Sequence, residues 1–209
     1  MSHNELNWMF ASNFAQESEV AAKARALSLE HGIEPIALAI GAQIALIAAA
    51  TSATNIVEIG TGLGVSGLWL LAGAPLATLT SIDEEFEYHE LARTLFTEAG
   101  YPASRVRLIT GRALDVLPRM NENSYDIVVI DGDPAQLLEN VEHALRLVRV
   151  GGTVLLPHAL WRGEVADPAK RNSIASSFRA VLNEVTASSA VLAALSPAGD
   201  GLLQVTKLA

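Results

Sequence analysis

The 209-residue chain contains no cysteine. That absence excludes a disulfide scaffold, a zinc site with thiolate ligands and a cysteine nucleophile. Basic residues are also few, because 14 Lys and Arg stand against 23 Asp and Glu and give a formal net charge of −9. A surface of that sign repels phosphate backbones, so we expect no nucleic-acid partner.

The chain also lacks an apolar run long enough for a membrane-spanning helix. Its most apolar stretch, residues 36–50, contains Gly41 and Gln43, whereas a spanning helix needs about 20 predominantly apolar residues. The first ten residues show no basic region followed by an apolar run, the pattern of a secretory signal. We therefore expect no membrane partner and a cytoplasmic protein.

Half of the residues are hydrophobic and 18% are charged, a composition that excludes intrinsic disorder. No repeat or Pro/Gly/Ser-rich linker divides the chain, so we predict a single domain over residues 1–209. Residues 1–50 are predicted to form N-terminal helices, with helical segments at 6–30, ending at the cap His31-Gly32, and at 34–50. The second segment is apolar on nearly every face, which indicates burial or packing on a partner.

Residues 55–209 are predicted to form a Rossmann-like core. Short apolar runs alternate with helical runs, and each apolar run is continuous, as in strands buried on both faces of a parallel sheet. The last two runs are joined by a glycine turn and predict a hairpin. The fold class is therefore α/β, a doubly wound and mostly parallel seven-stranded sheet ending in an antiparallel hairpin. The predicted strands are residues 56–59, 77–82, 105–110, 125–130, 152–157, 188–196 and 202–208.

A glycine-rich segment, VEIGTGLG at residues 57–64, follows the first predicted strand. Glycines there let backbone amides approach a ligand, and the following helix N-terminus favours an anionic group. A dinucleotide interpretation uses G-x-G-x-x-G at residues 62–67, with Asp83 on the ribose. An S-adenosylmethionine interpretation uses Glu58 and the alternating glycines after it. A structural turn without a ligand is the third possibility.

Glu58 distinguishes the two cofactors, because a carboxylate suits the cationic amino group of methionine and repels a pyrophosphate. Ser66 begins the next predicted helix and can donate to the methionine carboxylate. Asp83 ends the second predicted strand, where its carboxylate can accept both ribose hydroxyls or cap the helix that follows. The residues therefore favour S-adenosylmethionine over a dinucleotide.

From about residue 34 to residue 208 the chain resembles the class I S-adenosylmethionine-dependent methyltransferases, specifically the catechol/caffeoyl-CoA type O-methyltransferases and their bacterial relatives. The resemblance implies methyl transfer from S-adenosylmethionine to a hydroxyl oxygen of a small-molecule acceptor. It also implies a homodimer, since bacterial relatives commonly pair through their N-terminal helices. The matching stretches, in the family's order, are VEIGTGLGVSGLWLL, SIDEEFEYHELARTLFTEAG, RVRLITGRALDVLP, YDIVVIDGD, LRLVRVGGTVLLPHALWRGEVADP and LSPAGDGLLQVTKL.

The resemblance also places cofactor contacts on this sequence. Ala113 occupies the position where the family's backbone meets the adenine, and Ile36 the position of a main-chain contact to the methionine carboxylate. Asp131 can face the sulfonium or a substrate hydroxyl. The full set of expected cofactor-binding residues is Ile36, Glu58, Gly60, Thr61, Gly62, Ser66, Asp83, Ala113 and Asp131.

The catalytic end departs from the family pattern. Relatives commonly hold Mg²⁺ through the first Asp of Asp-Ala-Asp-Lys and an Asp-Asn pair after the fifth strand, and the Lys serves as base. Here Asp131 is retained, Pro134 replaces the lysine, and Pro157-His158 replaces the pair. A proline supplies no side-chain ligand atom, so we assign no metal ligands and doubt a divalent metal cofactor. Asp133 is predicted to cap the helix beginning at Pro134.

His158 is the candidate that replaces the lost base. At the carboxyl end of the fifth strand an imidazole can act as general base, and we assign catalysis to His158 and Asp131. His158 can also join Asp131 around a softer metal such as Zn²⁺, or simply bond a carbonyl in a loop. Trp161 fits a substrate-side residue and a buried loop anchor equally well. His3, His31, His89 and His143 lack ligand spacing and are predicted on helix surfaces.

Two other function classes follow from the same residues. The replaced ligands and lysine leave open an S-adenosylmethionine-binding protein with lost or altered catalysis. The literal G-x-G-x-x-G match leaves a nicotinamide-dependent oxidoreductase, although the later family stretches argue against it. Methyl transfer to oxygen is the leading hypothesis.

Overall fold

A computed structural model describes residues 3–209, apart from the side chain of Asn4. The helices are α1 His3–Ser12, α2 Glu19–Glu30, α3 Leu38–Ala50, α4 Val65–Gly73, α5 Phe86–Glu98, α6 Ala113–Val116, α7 Leu137–Leu147 and α8 Ser173–Ala187, with 3₁₀ turns at Leu117–Arg119 and Pro134–Gln136. The strands are β1 Asn55–Ile59, β2 Thr78–Asp83, β3 Val106–Thr110, β4 Tyr125–Ile130, β5 Val148–Pro157, β6 Val191–Ser196 and β7 Leu202–Lys207.

The seven strands form one sheet in the order β3-β2-β1-β4-β5-β7-β6. Strands β1 to β5 pair in parallel, and β7 runs antiparallel to both β5 and β6. The predicted fold class is therefore confirmed, including the closing hairpin. The chain reverses its winding direction between β1 and β4, the place where open α/β sheets bind ligands at the carboxyl ends of the strands.

Apolar layers cover both faces of the sheet. One layer joins α2, α3, α4 and α5 around Ile44, Leu70 and Phe96, and the other joins α7 and α8 around Leu147 and Phe178. Central strand residues are buried on both sides, which is why their apolar runs are continuous in the sequence. The single domain over residues 1–209 stays a prediction, and positions 1 and 2 lie outside the described residues.

The first predicted helix, residues 6–30, is wrong as one element, because α1 ends at Ser12 and α2 begins at Glu19. Ser18 caps α2 by accepting a hydrogen bond from the Ala21 amide at 3.2 Å. Beside the break, Arg25 Nε donates to Glu17 Oε1 at 2.8 Å. The break is therefore fixed by a cap and a half-buried ion pair rather than by a breaker residue. The predicted end at His31 and Gly32 is confirmed.

The second predicted helix starts four residues late, at Leu38 instead of residue 34. Pro35 disfavours helical backbone at the residue before it, and residues 33–37 form no regular secondary structure. Arg25 Nη1 donates to the Ile36 carbonyl at 2.6 Å and holds this segment. Because α3 begins at Leu38, residues 33–36 are free to lie beside the carboxyl ends of the parallel strands. The sixth strand is also shorter than predicted and begins at Val191.

Within residues 3–209 no helix is both long and apolar enough to cross a membrane. The helices at the N-terminus instead present apolar side chains on the surface. The exposed large apolar residues there are Leu6, Trp8, Met9, Phe10 and Phe14 around α1, Leu29 on α2 and Leu46 on α3.

Candidate functional site

A cavity of about 450 Å³ lies at the carboxyl ends of the parallel strands. Its walls come from the irregular segment before α3, the loop after β1, and the ends of β2, β4 and β5. Except for Glu58, which is buried at the end of β1, every predicted site residue lines this cavity. These lining residues are Ile36, Gly60, Thr61, Gly62, Ser66, Asp83, Ala113, Asp131 and His158.

The loop between β1 and α4, residues 60–64, is the glycine loop of the site. Gly60 has φ of +89° and lies against the end of β4, where a Cβ atom would stand only 2.1 Å from the Asp131 carbonyl oxygen. Gly64 also has positive φ, +86°, and begins α4. At position 60 only glycine combines a positive φ with so close an approach to the Asp131 backbone. The loop is thus pressed against Asp131.

Asp83 connects the glycine loop to the next helix. Its Oδ2 accepts a hydrogen bond from the Gly62 amide at 2.9 Å, and its Oδ1 accepts one from the Glu85 amide at 3.0 Å. The N-cap residue of α5 is Glu85, so Asp83 precedes the cap instead of occupying it. The carboxylate faces the cavity while it fixes the loop.

Glu58 is a fully buried carboxyl group at the base of the glycine loop. The Ser81 hydroxyl donates to its Oε2 at 2.5 Å, whereas its Oε1 has no hydrogen-bond partner within the described part of the chain. Burial raises the pKa of Glu58 to about 7, although the hydroxyls of Ser66 and Ser81 partly oppose the rise. A buried carboxylate oxygen without a donor is a place where a cationic group of a ligand fits.

His89 was predicted on a helix surface, and that prediction is wrong: the residue is only 1% exposed. Its Nε2 lies 3.0 Å from Thr61 Oγ1 and its Nδ1 lies 2.8 Å from Thr110 Oγ1. The Thr61 hydroxyl in turn lies 2.7 Å from that of Ser81. Burial lowers the pKa of His89. The spacing of His89 with Ala92 and Phe96 along α5, at i, i+3 and i+7, was the signal that could have placed it inside.

His158 follows β5 and stands between two carboxylates. Its Nε2 lies 3.9 Å from Asp131 Oδ1, and its Nδ1 lies 3.5 Å from Asp200 Oδ2. Burial raises the pKa of Asp131, and the charge of His158 opposes that rise. The structure thus brings together the two predicted catalytic residues. Asp200, on the turn before β7, was not predicted. It reaches the site because β7 pairs beside β5, with Leu202 opposite Pro157.

Trp161 and Arg162 cover one side of the cavity. The Trp161 ring stacks on Phe178, with centroids 5.4 Å apart, and also lines the cavity. Trp161 therefore both anchors the loop after β5 and forms part of the cavity wall. The Arg162 amide donates to both Asp200 oxygens, at 2.7 and 2.8 Å, and its Nη2 donates to Glu34 Oε2 at 2.7 Å. These bonds join the loop after β5 to the segment before α3.

The family's metal ligands do not fit this chain. Pro134 and Pro157 offer no side-chain ligand atom, and Asp133 instead caps the 3₁₀ turn by accepting from the Ala135 amide at 2.9 Å, as predicted. Among residues 3–209 no group of three or more His, Asp or Glu side chains is arranged to hold a metal ion. These side chains therefore do not form the family's site for a divalent cation.

Comparison with known proteins identifies the class. The family model described as O-methyltransferase matches residues 12–208, and the chain belongs to that family. A relative from Mycobacterium sp. (strain JLS) is 40% identical over 194 residues, which cover 92% of this chain and 88% of the relative. The Mycobacterium tuberculosis H37Rv protein named "Probable O-methyltransferase Rv1220c" is 38% identical over 207 residues, covering 99% and 92%.

Solved structures agree. A Corynebacterium glutamicum protein superposes with a TM-score of 0.88 at 32% identity, covering 99% of this chain and 97% of the other. TomG from Streptomyces achromogenes, an O-methyltransferase involved in tomaymycin synthesis and solved in complex with S-adenosylmethionine, superposes with a TM-score of 0.87 at 27% identity, covering all of both chains. These findings confirm the predicted family and enzyme class, methyl transfer from S-adenosylmethionine to oxygen, over cofactor binding without catalysis and over a nicotinamide oxidoreductase.

Proposed function

We propose that this chain methylates a hydroxyl group of a small molecule, with His158 as general base and no metal in the step. The observation that carries the proposal is the space between His158 and Asp131. Their facing atoms, Nε2 and Oδ1, are 3.9 Å apart, too far for a hydrogen bond to each other. A hydroxyl oxygen placed to one side of this pair, facing the cavity, reaches both atoms at ordinary hydrogen-bond distances.

The cofactor-binding half of the proposal rests on the glycine loop and its acids. Glu58 Oε1, which has no hydrogen-bond partner among the described residues, supports pairing with the amino group of S-adenosylmethionine. Ser66 is proposed to donate to the methionine carboxylate of the cofactor. Asp83 presents a carboxylate to the ribose hydroxyls, and Ala113 lies where the adenine would be held. The remaining contacts in the proposal are Ile36, Gly60, Thr61, Gly62 and Asp131.

The bound cofactor supplies an electrophilic methyl group: the new C–O bond forms as the C–S bond breaks and leaves its electron pair on sulfur. The chain's own task is to place the acceptor hydroxyl and to remove its proton. Nε2 of His158 takes that proton. Asp131, whose pKa is raised by burial, holds the oxygen by donating to it from its protonated carboxyl. General base catalysis of this kind contributes about 10²- to 10⁴-fold.

The test is methyl transfer from labelled S-adenosylmethionine to a panel of phenols and hydroxy acids, in buffer with EDTA. His158→Asn removes the base and keeps a residue that tolerates the left-handed backbone at this position, where φ is +56°. We expect turnover to fall about 10²- to 10⁴-fold while S-adenosylhomocysteine binds as before. Equal turnover of both proteins, or loss of wild-type activity in EDTA that Mg²⁺ restores, would remove His158 from the mechanism.

The proposal extends to the oligomeric state and the cellular location of the protein. We propose a homodimer that buries the apolar surface of α1 and the turn after it, where Phe10 and Phe14 are 76% and 78% exposed. Contiguous apolar patches of this kind on soluble proteins mark interaction sites. We propose a cytoplasmic location from the sequence pattern alone. The panel of phenols and hydroxy acids serves to identify the acceptor.

A further inference from the structure

Asp200 is the one carboxylate against His158 that neither the family pattern nor the proposed base assignment uses. It lies on the turn between β6 and β7, 42 residues after the histidine in sequence, and its Oδ2 is 3.5 Å from Nδ1. That separation is longer than a good hydrogen bond, but such catalytic contacts are often long before the ligands bind. Its side chain is only 22% exposed, so little water competes for it.

The position of Asp200 is fixed independently of His158. Both of its oxygens accept from the Arg162 amide, at 2.7 and 2.8 Å, and the amide of Leu160 donates to its carbonyl at 2.9 Å. The turn is therefore bonded to the loop that carries His158. A carboxylate held in this way is a rigid acceptor directed at one ring nitrogen.

We propose that Asp200 is a positioning residue that keeps the His158 proton on Nδ1, so that Nε2 is left as the free base facing the acceptor hydroxyl. The proposal rests on the proposed function, in which Nε2 takes the acceptor proton. An ionised carboxylate only accepts hydrogen bonds, so Asp200 favours the tautomer whose N–H points toward it.

Asp131 does not cancel this preference. It lies on the Nε2 side but 3.9 Å away, compared with 3.5 Å for Asp200 on the Nδ1 side. Burial also raises the pKa of Asp131, and the nearby charge of Glu34 adds to the rise, so the site favours the neutral form of this carboxyl. After proton transfer, the imidazolium donates to Asp200 through Nδ1 and carries the acceptor proton on Nε2.

The decisive measurement is the tautomer of His158, read from ring ¹⁵N shifts of labelled protein saturated with S-adenosylhomocysteine, at about pH 8, where an ordinary imidazole is neutral. His158→Asn identifies the signal. We expect Nδ1–H in the wild-type protein and a shift toward Nε2–H in Asp200→Asn. The amide oxygen of the new side chain still accepts from the Arg162 amide, so the loop is kept. Asp200→Ser is the second variant if the first does not fold.

Asp167→Asn is the matched control. Asp167 lies in the same loop after β5 and accepts from the Ala169 amide at 2.9 Å, so the change removes one charge and keeps one acceptor, away from the cavity. It leaves the His158 tautomer unchanged. An unchanged tautomer in Asp200→Asn, or an equal shift in the control, overturns the assignment of Asp200.

Kinetics give the second readout. With an acceptor from the phenol and hydroxy-acid panel, we expect Asp200→Asn to lower kcat about 10- to 10⁴-fold, the upper figure being the cost of losing the carboxylate that sets the tautomer of a base histidine. The KM of the acceptor changes less than kcat, because Asp200 acts through His158. A tautomer shift without any loss of kcat would show that His158 is not the base, so failure of the proposed function is distinguishable from failure of the Asp200 assignment.

Discussion

The hydroxyl of Thr61, in the glycine loop, lies 3.0 Å from Nε2 of His89 on α5. Through Ser81 the same hydroxyl is connected to Glu58, and the other His89 nitrogen reaches Thr110. A buried chain of polar groups therefore runs from the end of β1 across β2 to the end of β3. Glu58, Thr61, Ser81 and His89 are buried, whereas Thr110 at the end of the chain is exposed. Removing a buried member therefore takes a hydrogen bond from a neighbour that water does not reach.

His89→Leu fills the same space and breaks this chain. We expect the free energy of unfolding to fall by about 0.5–1.5 kcal/mol, the usual net contribution of a hydrogen bond, because the Thr61 hydroxyl keeps Ser81 and Thr110 is exposed to water. Urea denaturation followed by circular dichroism measures the change. His3→Leu, on the exposed end of α1, is the control and leaves the midpoint nearly unchanged. If both variants unfold at the wild-type urea concentration, the buried chain contributes nothing to stability.

The sequence predicted the sheet well for a physical reason. Strands buried on both faces must be apolar at consecutive positions, and this is visible in residues 56–59 and 125–130 without any tertiary information. The glycine loop was equally visible, because a Cβ at Gly60 would collide with the Asp131 backbone. The residues that line the cavity next to these strand ends followed from the family resemblance.

The remaining features depend on contacts between distant segments. The break between α1 and α2 is stabilised by Arg25 and Glu17, and no breaker residue marks it. The spacing of His89 along α5 indicates burial, but its partners, the hydroxyls of Thr61 after β1 and Thr110 on β3, come from distant segments. Asp200 reaches His158 only because β7 lies beside β5. Local pattern does not encode such pairings, so they became visible only in the folded chain.

Glu58 makes cofactor binding depend on pH. Because its pKa in the folded protein is about 7, the carboxyl is increasingly protonated as pH falls below 7. The proposed ion pair with the cofactor amino group needs the ionised form. We expect the affinity for S-adenosylhomocysteine to weaken below pH 7, approaching a tenfold loss per pH unit. Isothermal titration between about pH 6 and 8 measures it.

Glu58→Gln is the control for this pH dependence. The variant binds more weakly than the wild-type protein at about pH 8 and shows a nearly flat affinity across the range. An affinity that is independent of pH in the wild-type protein would contradict the ion pair.

The same pKa of Glu58 predicts that the unfolding free energy falls as pH rises from about 4.5 to 7, since the folded wild-type protein holds a proton that the unfolded chain has released.

Asp83 tests the ribose contact. Asp83→Asn keeps an acceptor for the Gly62 amide, whereas Asp83→Ala removes the acceptor as well. We expect Ala to weaken S-adenosylhomocysteine binding by about 1–3 kcal/mol, the range for losing hydrogen bonds to a charged group. The Asn variant loses less, because the glycine loop stays bonded. Titration with NAD is the parallel measurement, and binding of NAD in preference to S-adenosylhomocysteine would overturn the cofactor assignment.

The exposed surface of α1 predicts the oligomeric state. Light scattering on the wild-type protein at micromolar concentration is expected to give twice the chain mass of 22.1 kDa. Replacing both Phe10 and Phe14 by Glu places charges on the proposed interface, and we expect that variant to return the chain mass. Leu76→Glu is the matched control and is expected to stay dimeric, since Leu76 is 79% exposed in the turn before β2, outside the proposed interface. A wild-type monomer would end the proposal.

The last prediction concerns the metal that the family commonly uses. Asp131 supplies a single carboxylate at the expected position, and Mg²⁺ dehydrates reluctantly for so few oxygens. We expect the wild-type protein to bind Mg²⁺ no more tightly than about millimolar in calorimetry, and its methyl transfer to survive EDTA.

Restoring the family pattern reverses this expectation. The triple variant Pro134→Lys, Pro157→Asp and His158→Asn returns the base and two oxygen ligands beside Asp131. Asn suits position 158 because its backbone is left-handed, with φ of +56°. Methyl transfer by this variant is expected to stop in EDTA and to return with Mg²⁺, while the wild-type protein ignores both. Equal EDTA sensitivity in the two proteins would mean that other residues complete a metal site in the wild type. The base assigned to His158 would then be wrong, because a metal ion would already lower the pKa of the acceptor hydroxyl.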